Sequence, residues 1–410
     1  MHHRSNTVEH YDKRQAAFIR IMTIRNLERR FPSVADLEKV ARRRLPKFLA
    51  QYLRYGMGKG DAVKRNRKDL DAIRLSPRYV TDPGLVSTET EILGCSYSIP
   101  YGVAPVGVGG LVWPRAPEAL AAAAKTHRMP FVAGTFTFAS LETIHSIAGD
   151  FAWFQLYTLN QTEFQEDILR RALAAGYSNL VVTVDVPART RRDHDIRNGF
   201  SMPPRIFDLG QLWHMLRAPA WTWAFAIKAL RSGFPEFENL KPYCPTHLSK
   251  REALGFQSEM ISGSMTPQGF RVLRDRWPKQ LVVKGILDPR DAACYRDLGA
   301  DAIVVSNHGG RQLEAAPSAV SVLPAIRREV GEDFPLMADG GVRTGQDICR
   351  MIAAGADFVL LGRAFYLATA AIGLDGADYV TALLKDELNC TMAQLGCCDV
   401  HELRGRLVEA

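Results

Sequence analysis

At 410 residues, 47% hydrophobic and 23% charged, the chain has the composition of a folded globular protein, and one barrel-sized domain can take up most of it. Its formal charge of +8 is concentrated at one end: residues 1–78 carry 20 Lys and Arg against 8 Asp and Glu, a net of +12, which leaves −4 for residues 79–410. That basic end suits an anionic membrane face or a solvated helical surface; it carries no nucleic-acid motif, so a nucleic-acid partner is not expected.

Residues 1–32 read as a basic, polar extension without the apolar core of a secretory signal. A barrel domain is expected over residues 33–390 and a C-terminal tail over 391–410. The spacing of Val34, Leu37, Val40 and Ala41 after Ser33, a good N-cap, predicts a helix over 33–56. Its second half, beyond Pro46, carries Phe48, Leu49, Tyr52 and Leu53, and Tyr52 alone reads as an amphipathic core residue. Residues 98–107 form a buried strand ending in a tight turn. Helix 116–128 and strand Phe131–Thr135 follow, with Phe136 and Phe138 beyond them to narrow or cap a pocket. The next strand, Trp153–Tyr157, places Gln155 and Tyr157 on one side. Helix 162–175 leads to strand 180–187, which ends in the carboxylate of Asp185.

An internal repeat appears later. Lys284-Gly285-Ile286-Leu287-Asp288 leads through a helix to Gly299-Ala300-Asp301 and an apolar strand; Asp339-Gly340-Gly341-Val342 leads to Gly355-Ala356-Asp357 and another. About eight strand-helix units between residues 98 and 370 predict an α/β fold, a closed (β/α)8 TIM barrel of parallel strands. The polar residues Gln155, Tyr157, Asp185, Arg192, Lys284, His308, Arg311, Asp339 and Arg343 all fall just past predicted strand ends, where such barrels hold their sites. His308 can move a proton near neutral pH, and Arg311 can grip a carboxylate with two hydrogen bonds. Gly340-Gly341-Val342-Arg343 and Leu361-Gly362-Arg363 suit a phosphate group. Lys284 fits a cation facing an anionic ring or developing charge, or a Schiff-base lysine. Carboxylates and histidines are not clustered at ligand spacing, so no metal is expected. Seven scattered cysteines without a C-x-x-C pair indicate a reducing cytoplasm.

The strings FQLY, TVDVP with a following RR, VVKGI, SNHGGRQLE, ADGGVR and LLGR, in that order, resemble the FMN-dependent L-2-hydroxy-acid dehydrogenase and oxidase family over residues 33–370. The resemblance implies that FMN is the cofactor and that His308 is the base on the substrate hydroxyl, supported by Asp185. It implies a carboxylate grip by Arg311 and Arg192 with Tyr52, and a hydrogen bond from Tyr157 to the hydroxyl or keto oxygen. Lys284 would offset charge on reduced FMN. Ala104, Pro105, Val106, Gln155, Thr183 and Ser306 would line the ring and ribityl chain, with Thr135 beside Gly134 where the family has a hydroxyl residue. Asp339, Gly340, Gly341, Arg343, Gly362 and Arg363 would hold the ribityl and phosphate end. Met57-Gly58-Lys59-Gly60 departs from an acidic cluster common in the family.

The segment at 198–270 is an insert with no barrel unit. Trp213, Leu216, Ala220, Trp223, Ile227 and Leu230 share one helical stripe, broken by Pro219, with Arg217, Lys228 and Arg231 close by. The pattern suits a helix lying in a membrane interface, or else a lid or an oligomer contact. Its P-x-W-x-W string resembles membrane-associated lactate dehydrogenases that pass electrons to quinone. The expected reaction is therefore oxidation of an L-2-hydroxy acid, L-lactate foremost, with a quinone or other non-oxygen acceptor, at the inner face of the cell membrane. The alternatives are a peroxide-forming oxidase of the same family and a mandelate dehydrogenase. A homotetramer is the family expectation.

Overall fold

Eight short apolar runs form parallel strands: β1 Tyr101–Val103, β2 Phe131–Gly134, β3 Ala152–Tyr157, β4 Asn179–Thr183, β5 Gln280–Ile286, β6 Ala302–Val305, β7 Leu336–Asp339 and β8 Phe358–Leu361. In the computed structural model, which describes residues 26–80, 84–188, 190–200, 209–261 and 263–408, they close into a barrel in chain order. β8 returns to pair with β1, Val359 opposite Tyr101. The fold read from the sequence is the fold observed. Residues 1–25 of the basic extension, and 201–208 of the insert, lie outside the described residues.

The strands are buried on both faces, which is why they read as continuous apolar runs. Alternation divides the residues between two cores. Val132, Val181, Val282, Val304, Met337 and Leu360 fill the barrel interior. Leu180, Val182, Val283, Ile303 and Val305 face the helices. A hairpin, Thr90–Ile92 with Cys95–Tyr97, closes the N-terminal end of the barrel. Its Ile92 and Tyr97 join the interior cluster, and Trp153 Nε1 donates to Tyr97 Oη at 3.2 Å. Function is thereby left to the other end.

The Gly-Ala-Asp repeat has a structural cause. Asp301 accepts from Leu281 N at 2.6 Å and Arg274 Nη1 at 2.7 Å. Asp357 accepts from Leu336 N at 2.8 Å and Arg327 Nη2 at 2.7 Å. Each aspartate ties the start of the preceding strand to a helix arginine.

The helix expected over 33–56 is two helices, α1 Val34–Arg44 and α2 Lys47–Arg54, followed by α3 Asp61–Ala72. Pro46 lacks an N–H and forces Leu45 into an extended conformation, φ −85° and ψ 145°, so the helix breaks there. Ser33 does cap α1, its side chain accepting from Asp36 N. The barrel helices α4 Ala116–His127, α5 Leu141–Ala148 and α6 Thr162–Ala175 separate the early strands. The chain then leaves the barrel through α7 Asp193–Arg197, α8 Leu209–Leu216, α9 Pro219–Ser232 and α10 Lys250–Glu259. It returns with α11 Pro267–Arg276, so the insert ends slightly before residue 270. Helices α12 Pro289–Asp297, α13 Ala319–Val330, α14 Gly345–Ala353 and α15 Arg363–Ile372 complete the barrel, and α1 packs on α15.

Two expected boundaries are corrected. Helix α16, Gly376–Leu395, runs through 390/391 and stops at Gly396, where φ is +64°. Val400 and Leu403 beyond it are fully buried, and Leu407 bridges Leu75, so the terminus is part of the domain. At the other end, Phe31 is buried and its carbonyl accepts from Tyr379 Oη at 2.7 Å, so the domain begins before residue 33.

Candidate active site

The loop after β6 sets the geometry. His308, Gly309 and Gly310 all have positive φ (+56°, +63° and +79°), which folds the loop back over the barrel mouth. A Cβ on Gly310 would lie 2.7 Å from Val63 N, so α3 packs directly on this backbone. His308 Nδ1 lies 2.9 Å from Asp185 Oδ1. Gly285 makes room for the pair, since a Cβ there would sit 2.6 Å from Asp185 Cβ. Burial alone would raise the Asp185 carboxyl, but the imidazole and the Lys284 ammonium outweigh it and hold the group below the usual carboxylate range. Asp185 is thus an anion at neutral pH. Its pairing stabilises the fold above the ordinary carboxylate pKa, and that contribution is lost as pH falls through the lower folded value.

Tyr157 Oη lies 3.4 Å from His308 Nε2, on the side away from Asp185. Burial, then the Asp185 charge, push the phenol well above its ordinary value, so it remains a donor.

Two arginines stand beside this pair. Arg311 lies over the Tyr52 ring, 4.1 Å from its centre, and its Nη1 donates to the carbonyls of Tyr52 at 2.6 Å and Tyr55 at 3.2 Å. Its Nη2 is buried without a hydrogen-bond partner. Arg192 Nε donates to Arg311 O at 3.3 Å. Burial, then Arg311, push Arg192 down to about 10. Asp195 stands between them, Oδ2 3.8 Å from Arg192 Nη1 and 3.7 Å from Arg311 Nη2, too far for good hydrogen bonds. Two cations share one carboxylate, and donor capacity remains for a further anion.

Below the mouth, Lys284 Nζ contacts Asp339 Oδ2 and Ser306 Oγ, each at 2.8 Å. Ser306 donates to Asp339 Oδ1 at 2.6 Å and accepts from His308 N at 3.0 Å, linking this cation to the histidine loop. Gln155 donates to Thr183 Oγ1 at 3.0 Å and accepts from Thr135 N at 3.3 Å.

At the far end, Gly340 and Gly341 follow β7 with φ of +105° and +85°. A Cβ on Gly341 would lie 2.9 Å from Asn66 O. Arg343 and Arg363 flank this turn at the starts of α14 and α15. Arg363 Nε donates to Leu53 O at 2.7 Å and Nη1 to Gly309 O at 2.9 Å, while Nη2 is buried and unpartnered. Burial, then Arg343 and Arg311, push Arg363 down to about 9, so it stays charged at neutral pH and its cost is relieved when an anion arrives.

These groups line one cavity of about 670 Å³. It runs past Ala104, Pro105, Val106 and Gln155, over Lys284, to Arg343 and Arg363. A flat apolar wall, a cation below and a guanidinium-glycine end match a planar ring system carrying a phosphate tail, so the residues present fit FMN. Among the described residues no group of His, Cys, Asp or Glu could hold a metal ion.

Most of the site residues read from the sequence line this cavity, including Tyr52, Gly362 and Asp339. Asp185, Thr135, Thr183 and Ser306 stand one step behind its surface. Thr135 Oγ1 donates to Gln155 O at 2.7 Å and accepts from Tyr157 N at 3.1 Å, so its hydroxyl is committed between β2 and β3. Phe136 lines the cavity, whereas Phe138 stacks on Phe237 at 5.0 Å behind it. Sequence reasoning missed Asp195, Ile196 and Phe200, which also line it. Asp195 had a signal, because it follows Arg192 by three residues, in the first turn of the helix that Arg192 precedes. The buried Asn66–Asn307 pair, joined by two hydrogen bonds of 2.8 and 2.7 Å, had none.

The chain is similar to known proteins over most of its length. The chain is 37% identical to L-lactate dehydrogenase of Caulobacter vibrioides over 372 residues, 90% of this chain and 96% of that one. It is 36% identical to (S)-mandelate dehydrogenase of Pseudomonas putida over 371 residues, 90% and 92% of the two chains. The crystal structure of a monotopic membrane protein, (S)-mandelate dehydrogenase, superposes with a TM-score of 0.86 at 35% identity, covering 92% of this chain and 99% of that one. The family model described as FMN-dependent dehydrogenase matches residues 41–410, a span that includes every residue of the cavity described above, and the chain belongs to that family.

Proposed function

We propose that the chain oxidises a small L-2-hydroxy acid, L-lactate foremost, to the 2-keto acid, with FMN as cofactor. The observation that carries this reading is one cavity lined by a histidine held from behind by a carboxylate, a tyrosine hydroxyl and two arginines, of which Arg311 has an unpartnered Nη2. The relatives named for lactate and mandelate dehydrogenases support it.

Arg311 and Arg192 take the substrate carboxylate, and Tyr52 supports Arg311 through its ring and carbonyl. The α-hydroxyl then meets His308 Nε2 and Tyr157 Oη. Asp185 holds the proton on Nδ1, which leaves Nε2 free to accept the hydroxyl proton, and offsets the charge the ring then carries. Tyr157 donates to the substrate oxygen as it becomes a carbonyl. Lys284, Arg343, Arg363 and the Gly340–Gly341 backbone hold the cofactor. Bound FMN supplies the acceptor for the electrons of the α C–H bond. Asp185→Asn should lower the rate of flavin reduction by about a hundredfold or more, with little change in KM, in anaerobic stopped-flow traces. Arg363→Gln should weaken FMN binding by about tenfold to a hundredfold, read by fluorescence titration of the apoprotein. An unchanged FMN affinity would remove Arg363 from the phosphate end.

The acceptor is a quinone at the inner face of the cell membrane, on which the insert lies. Trp213, Leu216, Trp223 and Leu230 of α8 and α9 are 57%, 72%, 71% and 87% exposed, while Trp221 and Phe225 on the other face of α9 pack inward. Among the described residues no helix is long and apolar enough to cross a membrane. The relative described as monotopic supports this reading. Replacing Trp223 and Leu230 by serine should lower vesicle binding by about tenfold or more and leave turnover with a soluble dye acceptor unchanged. A substrate panel run first with oxygen and then with a quinone analogue tests the acceptor; peroxide formed at the rate of turnover overturns the dehydrogenase reading. A homotetramer is proposed from family resemblance, to be read by light scattering.

A further inference from the structure

We propose that a second cavity, between the N-terminal helices and the insert, binds the phosphate headgroup of an anionic phospholipid. This rests on the membrane-surface reading above and adds a defined site to it. The cavity, about 510 Å³, lies among the end of α1, helix α2 and helix α8. Arg43, Lys47, Arg54 and Arg217 line it, and among the described residues no Asp or Glu does. Arg42, also at its edge, is already paired with Glu38. The other four have exposed side chains pointing toward one space without a counter-charge in its lining. His214 lines the same space, and its Nδ1 is buried without a hydrogen-bond partner. Burial, then Lys47 and Arg217, push that imidazole below its ordinary value, which registers the positive field there.

The same rim carries the apolar groups. The Arg217 guanidinium lies 5.2 Å from the centre of the Trp213 ring, so a cation and an exposed indole are held together. Trp213 and Leu216 are exposed beside it, and Trp223 and Leu230 of α9 are exposed further along the insert. Cations beside apolar side chains match a phospholipid, which offers a phosphate and acyl chains together, as a soluble anion does not. The basic excess within residues 1–78 gains a purpose, because Arg43, Lys47 and Arg54 are drawn from it.

The test compares flotation of the full-length holoenzyme with phosphatidylcholine vesicles and with vesicles containing phosphatidylglycerol. The protein is wild type or the triple variant Arg43→Gln, Lys47→Gln, Arg217→Gln. Wild type should partition roughly tenfold or more tightly onto the anionic vesicles, and added salt should erode the difference. The triple variant should bind both compositions as wild type binds the neutral one, with unchanged turnover on a soluble acceptor. Retained anionic preference in the variant, or equal wild-type binding to both vesicles, overturns the headgroup site while the membrane reading stands. No binding to any vesicle overturns both. Inorganic phosphate that perturbs the Trp213 fluorescence of wild type, but not of the variant, in the absence of vesicles, and leaves vesicle partition unchanged, assigns the cavity to a soluble anion and overturns the lipid assignment.

Discussion

Replacing His308 by glutamine is expected to slow flavin reduction by L-lactate by about a hundredfold to ten-thousandfold while FMN stays bound. Glutamine has comparable reach and can still hydrogen-bond Asp185, but it cannot accept a proton from the substrate hydroxyl. The effect should fall on the reduction rate, because the carboxylate clamp is untouched. FMN should remain, because Lys284, Arg343 and Arg363 do not depend on the imidazole. The loop should survive as well: its left-handed turn is supported by Gly309 and Gly310, and Ser306 Oγ bonds the backbone N–H of residue 308 rather than its side chain. The check is anaerobic bleaching of the flavin band, with the oxidised spectrum confirming occupancy. Reduction at the wild-type rate would remove His308 from the mechanism.

Arg311→Met should cost about a hundredfold to a thousandfold in kcat/KM, chiefly through KM, since it removes a charge-assisted grip on a desolvated carboxylate. The variant also leaves Asp195 with Arg192 alone, a more even charge balance and so a weaker anion site. Arg311→Lys separates charge from shape. A lysine keeps the cation but cannot donate to the Tyr52 and Tyr55 carbonyls and the substrate together, so it should recover only part of the loss. Steady-state kinetics with L-lactate, together with the dissociation constant of oxalate as an unreactive carboxylate, provide the measure. Unchanged KM and oxalate affinity in both variants would place the substrate carboxylate elsewhere.

The barrel was legible because its strands are buried on both faces and write themselves as apolar runs. The repeated Gly-Ala-Asp before β6 and β8 reports a local need, an acceptor that ties strand to helix. Site residues were legible for a related reason: a parallel barrel offers functional side chains at one end, so polar residues past strand ends converge even when far apart in sequence. What escaped were partnerships between distant side chains. Asn66 meets Asn307 across 241 positions, and no local pattern announces it. The commitment of the Thr135 hydroxyl to a neighbouring strand is likewise invisible, because alternation says which way a side chain points and not what it meets. The expected tail boundary had a readable counter-signal: no glycine or proline interrupts the chain from Ala377 to Leu395, and Gly396 is a natural C-terminal stop for α16.

The central claim, that one cavity brings a proton acceptor and a carboxylate clamp to bear on a hydroxy acid beside FMN, is tested most directly by anaerobic mixing of the holoenzyme with L-lactate, followed by a panel of larger L-2-hydroxy acids that includes (S)-mandelate. The flavin should bleach with L-lactate, with the corresponding keto acid formed mole for mole, and should stay oxidised with D-lactate. A flavin that stays oxidised with every L-2-hydroxy acid in the panel would contradict the account.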